Sequence, residues 1–335
     1  MKPVTIRDVA QQANVSTAAV SKVLHGSGQS IRVSPERAAH IRSVAERLNY
    51  RANALARQLR TSRTHTIGVF FENLKGLMDG PLYTTNLLDG VASELFKNHY
   101  RLTVLAEIDH HNVIGSLADG QLEGVLWCKL ARDEEMVDQI RQMPIPVVAI
   151  NAAAPDPDTD TVYVNCDNQG GMELAVEHLW GLGHSKIAFV HETEERGTPD
   201  CVARREGYEQ AMHRRGGRPT VLEAPWSMTG LPEQLLESGC TAVCCWTESS
   251  AGRLLTRLQE AGVTVPERLS VVGFDSTMYC ETTNPRLTAV RQPIREMAAY
   301  ATQALLDLIS GQKKGHHSIV FPCSFDERGS TRRKQ

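Results

Sequence analysis

No stretch of this sequence approaches the roughly 18 uninterrupted apolar residues that a membrane-crossing helix needs. Its first residues, MKPVTIRDVAQQ, turn charged and amidated at once and supply no apolar core of a secretory signal. Cysteine is present but unorganised: Cys128, Cys166, Cys201, Cys240, Cys244, Cys245, Cys280 and Cys323 are scattered, with no CxxC pair and no Cys/His group at zinc spacing. Such scatter in a large chain fits buried thiols in a reducing compartment better than a disulfide framework or a metal site. These absences predict a cytoplasmic protein with no membrane partner, no disulfides and no structural zinc.

Signatures of catalysis are missing as well. There is no GxSxG elbow, no Walker A run, no HExxH, and no GxGxxG between a strand and a helix. The glycines of HGSGQS close a helix instead of forming a nucleotide loop. Asp156, Asp158 and Asp160 lack the glycine and terminal glutamate of a calcium loop and have Pro157 among them. His110-His111 and His316-His317 are adjacent, not four apart, and read as loop histidines. No enzymatic activity, cofactor or metal is expected.

What is present begins with size and charge. At 335 residues, 41% hydrophobic and 22% charged, the chain has the make-up of an ordinary globular protein with two or three packed units. Its net charge of −3 hides an asymmetry. Through Arg63 there are two lysines and nine arginines against Asp8, Glu36 and Glu46, a net +8, which leaves −11 for the rest. A basic head on an acidic body suggests that the head meets a polyanion.

The head carries helix periodicity and helix punctuation. Ile6, Val9, Ala10 and Ala13 make the stripe of an amphipathic helix, and Asn14 tolerates the left-handed backbone of a turn. Ser16 can cap a second helix that buries Val20, Val23 and Leu24. Ser34-Pro35 opens a third, with Ile41, Val44, Ala45 and Leu48 on its apolar face. This spacing predicts a small all-α helix-turn-helix domain. In such a domain the second helix enters the major groove of double-stranded DNA, and its early residues reach base edges. Those residues are Thr17, Ala18, Ser21 and Lys22, with His25 just beyond. Ala18 and the Thr17 methyl can pack on thymine methyls, Lys22 can donate to guanine, and Ser21 can bond either base or phosphate.

The segment Asn53 to Arg60 can form one or two helical turns with little apolar surface, too short to hold in water unless something supports it. From Thr66 onward, IGVFF, LTVLA, GVLWC and VVAI alternate with helical stretches. After a polar loop holding Pro155 and Pro157 the pattern restarts at HSKIAFV and continues through TAVCCW and LSVVGF. Strands alternating with helices predict doubly wound parallel sheets, and the likeness of HTIGVFF to HSKIAFV suggests two lobes built alike. Ligands in such lobes sit beyond the carboxyl ends of strands, where Glu72, Asn151, Thr247, Glu248 and Asp275 fall. Arg204, expected to open a helix, and Trp226, in a loop, complete this set: a charged donor and an apolar ring face suited to a sugar-like effector.

The runs VTIRDVAQQANVSTAAVSKVLHG, LNYRANALARQLRT and HTIGVFF resemble the LacI/GalR family of bacterial transcription regulators. So do VNCDNQGGMELAVEHLWGLGHSKIAFV, ARREGYEQAM, QEAGVTVPERLSVVGFDS and PRLTAVRQP, in the family's order along nearly the whole chain. The resemblance implies residues 1–50 as the DNA-binding domain, 51–63 as hinge helix and linker, and 64–335 as a periplasmic-binding-protein-like core. Lobe 1 would take about 64–163 plus 293–322, and lobe 2 about 164–292 plus 323–335. The resemblance also implies a homodimeric repressor on a near-palindromic operator, with Leu59 wedged into the central base step and Asn53, Ala56, Arg57 and Arg60 beside it. Thr5, Ser16 and Arg32 join the DNA-contact set, Arg32 as a phosphate contact. Arg204, Trp226, Asp275 and Gln292 match positions lining the effector pocket of sugar-binding members.

Four departures from the family pattern stand out. Ala52 replaces a frequent proline before the hinge, the loop from Gly26 to Val33 is longer and more basic than in the shortest members, WTESS replaces a usual Asn-Asp, and Asn151 is neutral where some members carry aspartate. The last two put the usual hexose pattern in doubt and leave open a body that only dimerises. The carboxyl end, GSTRRKQ, shows no leucine heptads that would encode a tetramer.

Overall fold

Three short helices, each begun by a hydroxyl residue, make up the described part of the first unit: α1 (Ile6–Gln12), α2 (Thr17–His25) and α3 (Pro35–Arg47). The computed structural model describes residues 4–26, 31–50, 63–71, 82–105, 112–128, 139, 142–152, 161–312 and 318–334. Asn53, Ala56, Arg57, Leu59, Arg60 and Glu72 lie outside the described residues, as do the acidic run at 156–160 and both histidine pairs. The chain divides into two units, Met1–Thr64 and His65–Gln335.

Local chemistry accounts for the helices of the first unit. Thr5 and Asp8 form a capping box at α1, with the Thr5 amide 2.7 Å from the Asp8 carboxylate. Asn14 takes φ +50° and turns the chain toward α2. Ser16 Oγ accepts from the Ala19 amide at 3.2 Å, and Gly26 at φ +68° ends α2 in the left-handed conformation. At α3, Ser34 caps and Pro35 fills the first helical position, where no amide is needed. Val9, Ala10, Ala13, Val20, Ile41, Val44 and Ala45 close one small core among the three helices.

The second unit holds two six-stranded sheets. The first contains β1 (Thr66–Phe71), β2 (Arg101–Leu105), β3 (Gly124–Cys128), β4 (Val147–Ile150), β5 (Val162–Cys166) and β11 (Ile319–Phe321), in the order β11-β5-β4-β3-β1-β2. The second contains β6 (Ile187–Glu192), β7 (Thr220–Ala224), β8 (Ala242–Cys245), β9 (Ser270–Asp275), β10 (Thr288–Arg291) and β12 (Ser324–Asp326), in the order β12-β10-β9-β8-β6-β7. All described pairings are parallel except β10 with β12. Every residue of β3, β4, β6, β8 and β9 is buried, as strands covered on both faces require.

Among the described residues, this unit also holds helices α4 (Leu82–Lys97), α5 (Val113–Leu117), α6 (Asn168–Gly181), α7 (Pro199–Arg214), α8 (Leu231–Glu237), α9 (Glu248–Glu260), α10 (Tyr279–Thr282) and α11 (Ile294–Ile309). Helix α4 packs on α11, and α6 on α7. Both contacts are close: a Cβ on Gly90 would stand 2.8 Å from the Arg295 carbonyl oxygen, and one on Gly207 would stand 2.6 Å from the Gln169 backbone.

The chain passes between the two sheets after β5, after β10 and again between β11 and β12. Residue 163, the expected lobe boundary, falls inside β5, which pairs with β4 and β11 and belongs wholly to the first sheet. Strand β5 is not legible in the sequence because proline and aspartate just before it mask a short VYVNC run. Nor are β7, β10, β11 and β12, which lie toward the sheet edges and are three to five residues long. Among the described residues, no helix is long and apolar enough to cross a membrane.

Candidate functional site

Helix α2 presents one group of predicted residues on a common side. Ala18, Ser21 or Lys22, and His25 recur at helical spacing, while Val20 turns into the core with no exposure. Thr17 and Ala18 are exposed in the first turn, and Ser21, Lys22 and His25 are partly exposed. His25 Nε2 lies 3.4 Å from the Tyr50 hydroxyl, which ties the end of α2 to the segment after α3. Ser16 uses its oxygen to cap α2, and Thr5 Oγ1 donates to Asp8 at 2.7 Å. Arg32 is exposed in the approach to α3.

The second group gathers where the strands of both sheets end. Asn151 follows β4, Gln292 follows β10, and Asp275 is the last residue of β9. Asn151 Nδ2 donates to the Tyr83 hydroxyl at 2.7 Å and to Gln292 Oε1 at 3.3 Å. Gln292 Nε2 donates in turn to Asp275 Oδ1 at 2.5 Å. Arg204 Nη2 stands 3.4 Å from that same oxygen. One chain of polar contacts thus runs from the first sheet to the second, and all four side chains are at least 97% buried. Asn151 Oδ1 has no hydrogen-bond partner, a buried acceptor left open.

Arg204 lies in the second turn of α7, which starts at Pro199, so it does not open the helix as expected. Its Nε donates to Asn168 Oδ1 at 2.8 Å, its Nη1 to the Trp246 carbonyl at 2.5 Å, and its guanidinium covers the Phe274 ring at 3.7 Å. Burial works against its charge, yet Asp275 and Asp200 outweigh burial and hold its pKa above the ordinary value. Asp275 adopts φ +101° and Ser276 φ +49°, conformations that cost an L-residue about 1–3 kcal/mol and persist only where surrounding contacts impose them.

Thr247 and Glu248 are spent within the protein. Thr247 Oγ1 caps α9 through the Ser250 amide at 3.1 Å. Glu248 accepts from the Thr277 amide at 2.7 Å, from the Thr277 hydroxyl and from the Cys280 thiol at 3.2 Å. Burial and then the Asp275 charge push its pKa up to about 7, against the pull of those donors.

Several residues of this region went unnoticed in the sequence. Glu192, the fully buried last residue of β6, accepts from Trp246 Nε1, Ser250 Oγ and Arg253 Nη2. Arg253 also lies over the Trp226 ring at 3.6 Å and donates from Nε to the Trp226 carbonyl at 3.0 Å. Trp226 keeps 42% of its surface exposed. The available signal for Glu192 was its position at the carboxyl end of HSKIAFVHE; Tyr83 and Arg253, inside helices, gave none. Two cavities adjoin the polar chain. One of about 490 Å³ is lined by Asn151, Asn165, Asn168, Asp200 and Glu206. Another of about 430 Å³ reaches Asp275, Ser276, Gln292 and Arg328.

A three-helix unit with an outward second helix, on the same chain as two parallel α/β sheets joined by repeated crossings, defines a class of ligand-responsive DNA-binding regulators. Residues 5–53 match the model of bacterial regulatory proteins of the lacI family, and residues 176–331 match a periplasmic binding protein-like domain. The chain is 30% identical to the HTH-type transcriptional repressor PurR of Vibrio atlanticus over 333 residues, covering 95% of each chain. It is 32% identical to the HTH-type transcriptional regulator GalS of Salmonella typhimurium strain LT2, covering 92% of this chain and 91% of that one. Its fold matches a lac repressor dimer bound to operator and the anti-inducer ONPF, with TM-score 0.85 and 23% identity over 99% of this chain and 100% of that chain. The chain belongs to the lacI family of bacterial regulatory proteins and is a DNA-binding transcription regulator.

Proposed function

We propose that this regulator is a repressor that binds a near-palindromic operator as a homodimer and answers to a small, polar, sugar-like effector held between its lobes. The observation that carries this reading is the buried chain Asn151–Gln292–Asp275–Arg204, which links the two sheets beside two cavities. Carboxylate, amide and guanidinium groups in one place suit a ligand rich in hydroxyls, and the open Asn151 Oδ1 offers an acceptor for one of them. Trp226, backed by Arg253, offers an apolar ring face. Because a ligand here would contact both lobes, it would favour one relative orientation of the sheets over another, and coupling to DNA of about 1–3 kcal/mol is the ordinary range.

On the DNA side, Thr17, Ala18, Ser21, Lys22 and His25 of α2 are assigned to the major groove. Thr5 and Ser16 are assigned to the DNA-contact set, and Arg32 to a phosphate. Leu59, with Asn53, Ala56, Arg57 and Arg60, is assigned to a kinked operator centre. The similar lac repressor, described as a dimer on its operator, supports the two-fold arrangement. Glu72 and Thr247 remain in the effector set, although the Thr247 hydroxyl already serves as a helix cap.

The test is selection of duplexes from a randomised pool with the full-length protein at near-physiological salt. Titration of a sugar and nucleoside panel against the enriched duplex follows. A palindrome of about 14–20 base pairs, released or tightened by one panel member, is expected. A palindrome indifferent to every member would favour a body that only dimerises, a reading to which the internal use of Thr247 and Glu248 lends weight. No enriched sequence, with or without panel members present as co-repressors, would mean that the head binds DNA only by charge and that the function lies in the cleft.

A further inference from the structure

Seven of the eight cysteines are buried, and Cys323 alone is partly exposed. Its place in the fold is unusual: it lies on the two-residue link between β11 of the first sheet and β12 of the second. Cys166 ends β5, and the next residue, Asp167, caps α6 as the chain leaves for the second sheet. These two crossings run side by side. Cys166 is in register with Phe321, and the Asp167 amide donates to the Phe321 carbonyl at 2.8 Å. Cys323 packs against the apolar cluster that includes Cys166, and the Cys323 side chain raises the Cys166 pKa well above its ordinary value. Cys166 Sγ also donates to Asn168 Oδ1 at 3.4 Å, the oxygen that receives Arg204 Nε, and Cys166 lines the cavity of about 490 Å³.

We infer that Cys166 and Cys323 form a dithiol modification site, oxidised by hydroperoxides, that ties together two of the crossings between the lobes. Two thiols confined to one lobe would stabilise that lobe alone; these two stand on separate connections between the lobes, where a covalent tie restrains their relative motion. The exposed member meets the oxidant. The Cys323 sulfur attacks a peroxide oxygen, the O–O bond breaks, and water leaves with the thiol proton, giving a sulfenic acid. The Cys166 sulfur then attacks the Cys323 sulfur, the S–O bond breaks, and a second water carries away the Cys166 proton. Two thiols and one hydrogen peroxide become one disulfide and two waters. The neighbouring Cys323 side chain, and then burial, raise the Cys166 pKa and favour its protonated form, so it reacts second, as the partner that traps the sulfenic acid. Oxidation also removes the S–H donor to Asn168, the first link toward Arg204 and Asp275.

The test uses the full-length reduced protein treated with hydrogen peroxide, then thiol alkylation under denaturing conditions, peptide mapping and amide hydrogen exchange. The expected result is a Cys166–Cys323 peptide pair two hydrogens lighter than its separate parts, reversed by dithiothreitol. Amides around 166–168 and 321–325 should exchange about tenfold more slowly in the oxidised protein. Cys323→Ser, or Cys323→Ala if the serine variant melts early, should show neither effect. A dithiol-specific trivalent arsenical should bind the reduced wild type one to one and leave the Cys323 variants untouched. Cys323 driven to sulfinic acid with Cys166 still alkylatable, no arsenical binding, or a linkage with unchanged exchange would each overturn the inference.

Discussion

Arg204 shows how one buried side chain can hold several elements together. Its charge is buried and balanced by Asp275, while its other donors hold Asn168 and the Trp246 carbonyl. Removing one member of a buried pair leaves the other uncompensated, so Arg204→Met should cost about 3–5 kcal/mol of stability, read from the urea midpoint. No change in that midpoint would show that Asp275 finds other support. Glu248 gives a pH signature at the same scale. Its folded pKa of about 7 lies above the ordinary carboxylate value, so the folded protein keeps a proton that the unfolded chain releases. Stability should therefore fall as pH rises from about 4.5 to 7, by roughly 3 kcal/mol, and be unaffected by this group outside that window. Glu248→Gln should flatten that part of the profile in denaturant titrations at a series of pH values.

At the scale of elements, close helix contacts position the site. Helix α7 carries Arg204, and α6 begins at Asn168, the residue that fixes the Arg204 Nε. Gly207 lets the two helices meet, since any Cβ there would strike the Gln169 backbone. Gly207→Ala should destabilise the second unit by about 1–3 kcal/mol, seen as a lowered melting temperature of the full chain. Helix starts were legible in the sequence because they are local: Ser16, Ser34 and Pro35 act within a turn of their own residues. Strands β5, β7 and β10–β12 were not, because a short strand gains its identity from the neighbour it pairs with. In β11, three residues take theirs from β5, more than 150 residues earlier in the chain.

At the scale of the whole molecule, the basic head and acidic body match a regulator whose DNA unit and effector core are separate parts of one chain. If Leu59 wedges into the operator centre, Leu59→Ala should weaken binding to the selected palindrome at least tenfold while leaving salt-driven binding to random duplex nearly intact. Equal loss on both duplexes, measured by fluorescence anisotropy, would remove the wedge.

The sequence by itself determined the two-part organisation, the helix-turn-helix and the alternation of strands and helices, because apolar periodicity and capping residues act over a few positions. It also named Asn151, Arg204, Asp275 and Gln292. Only the tertiary structure decided that these four form one chain of contacts, that Thr247 and Glu248 turn inward, that Glu192 and Tyr83 join the region, and that Cys323 packs against the cluster holding Cys166. Asn151 with Gln292, and Cys166 with Cys323, lie more than 100 residues apart in the chain, and three passages between two sheets bring those distant strand ends together. The contacts of Thr247, Glu248, Glu192 and Tyr83 span three to 68 residues but need the folded strand ends to place them.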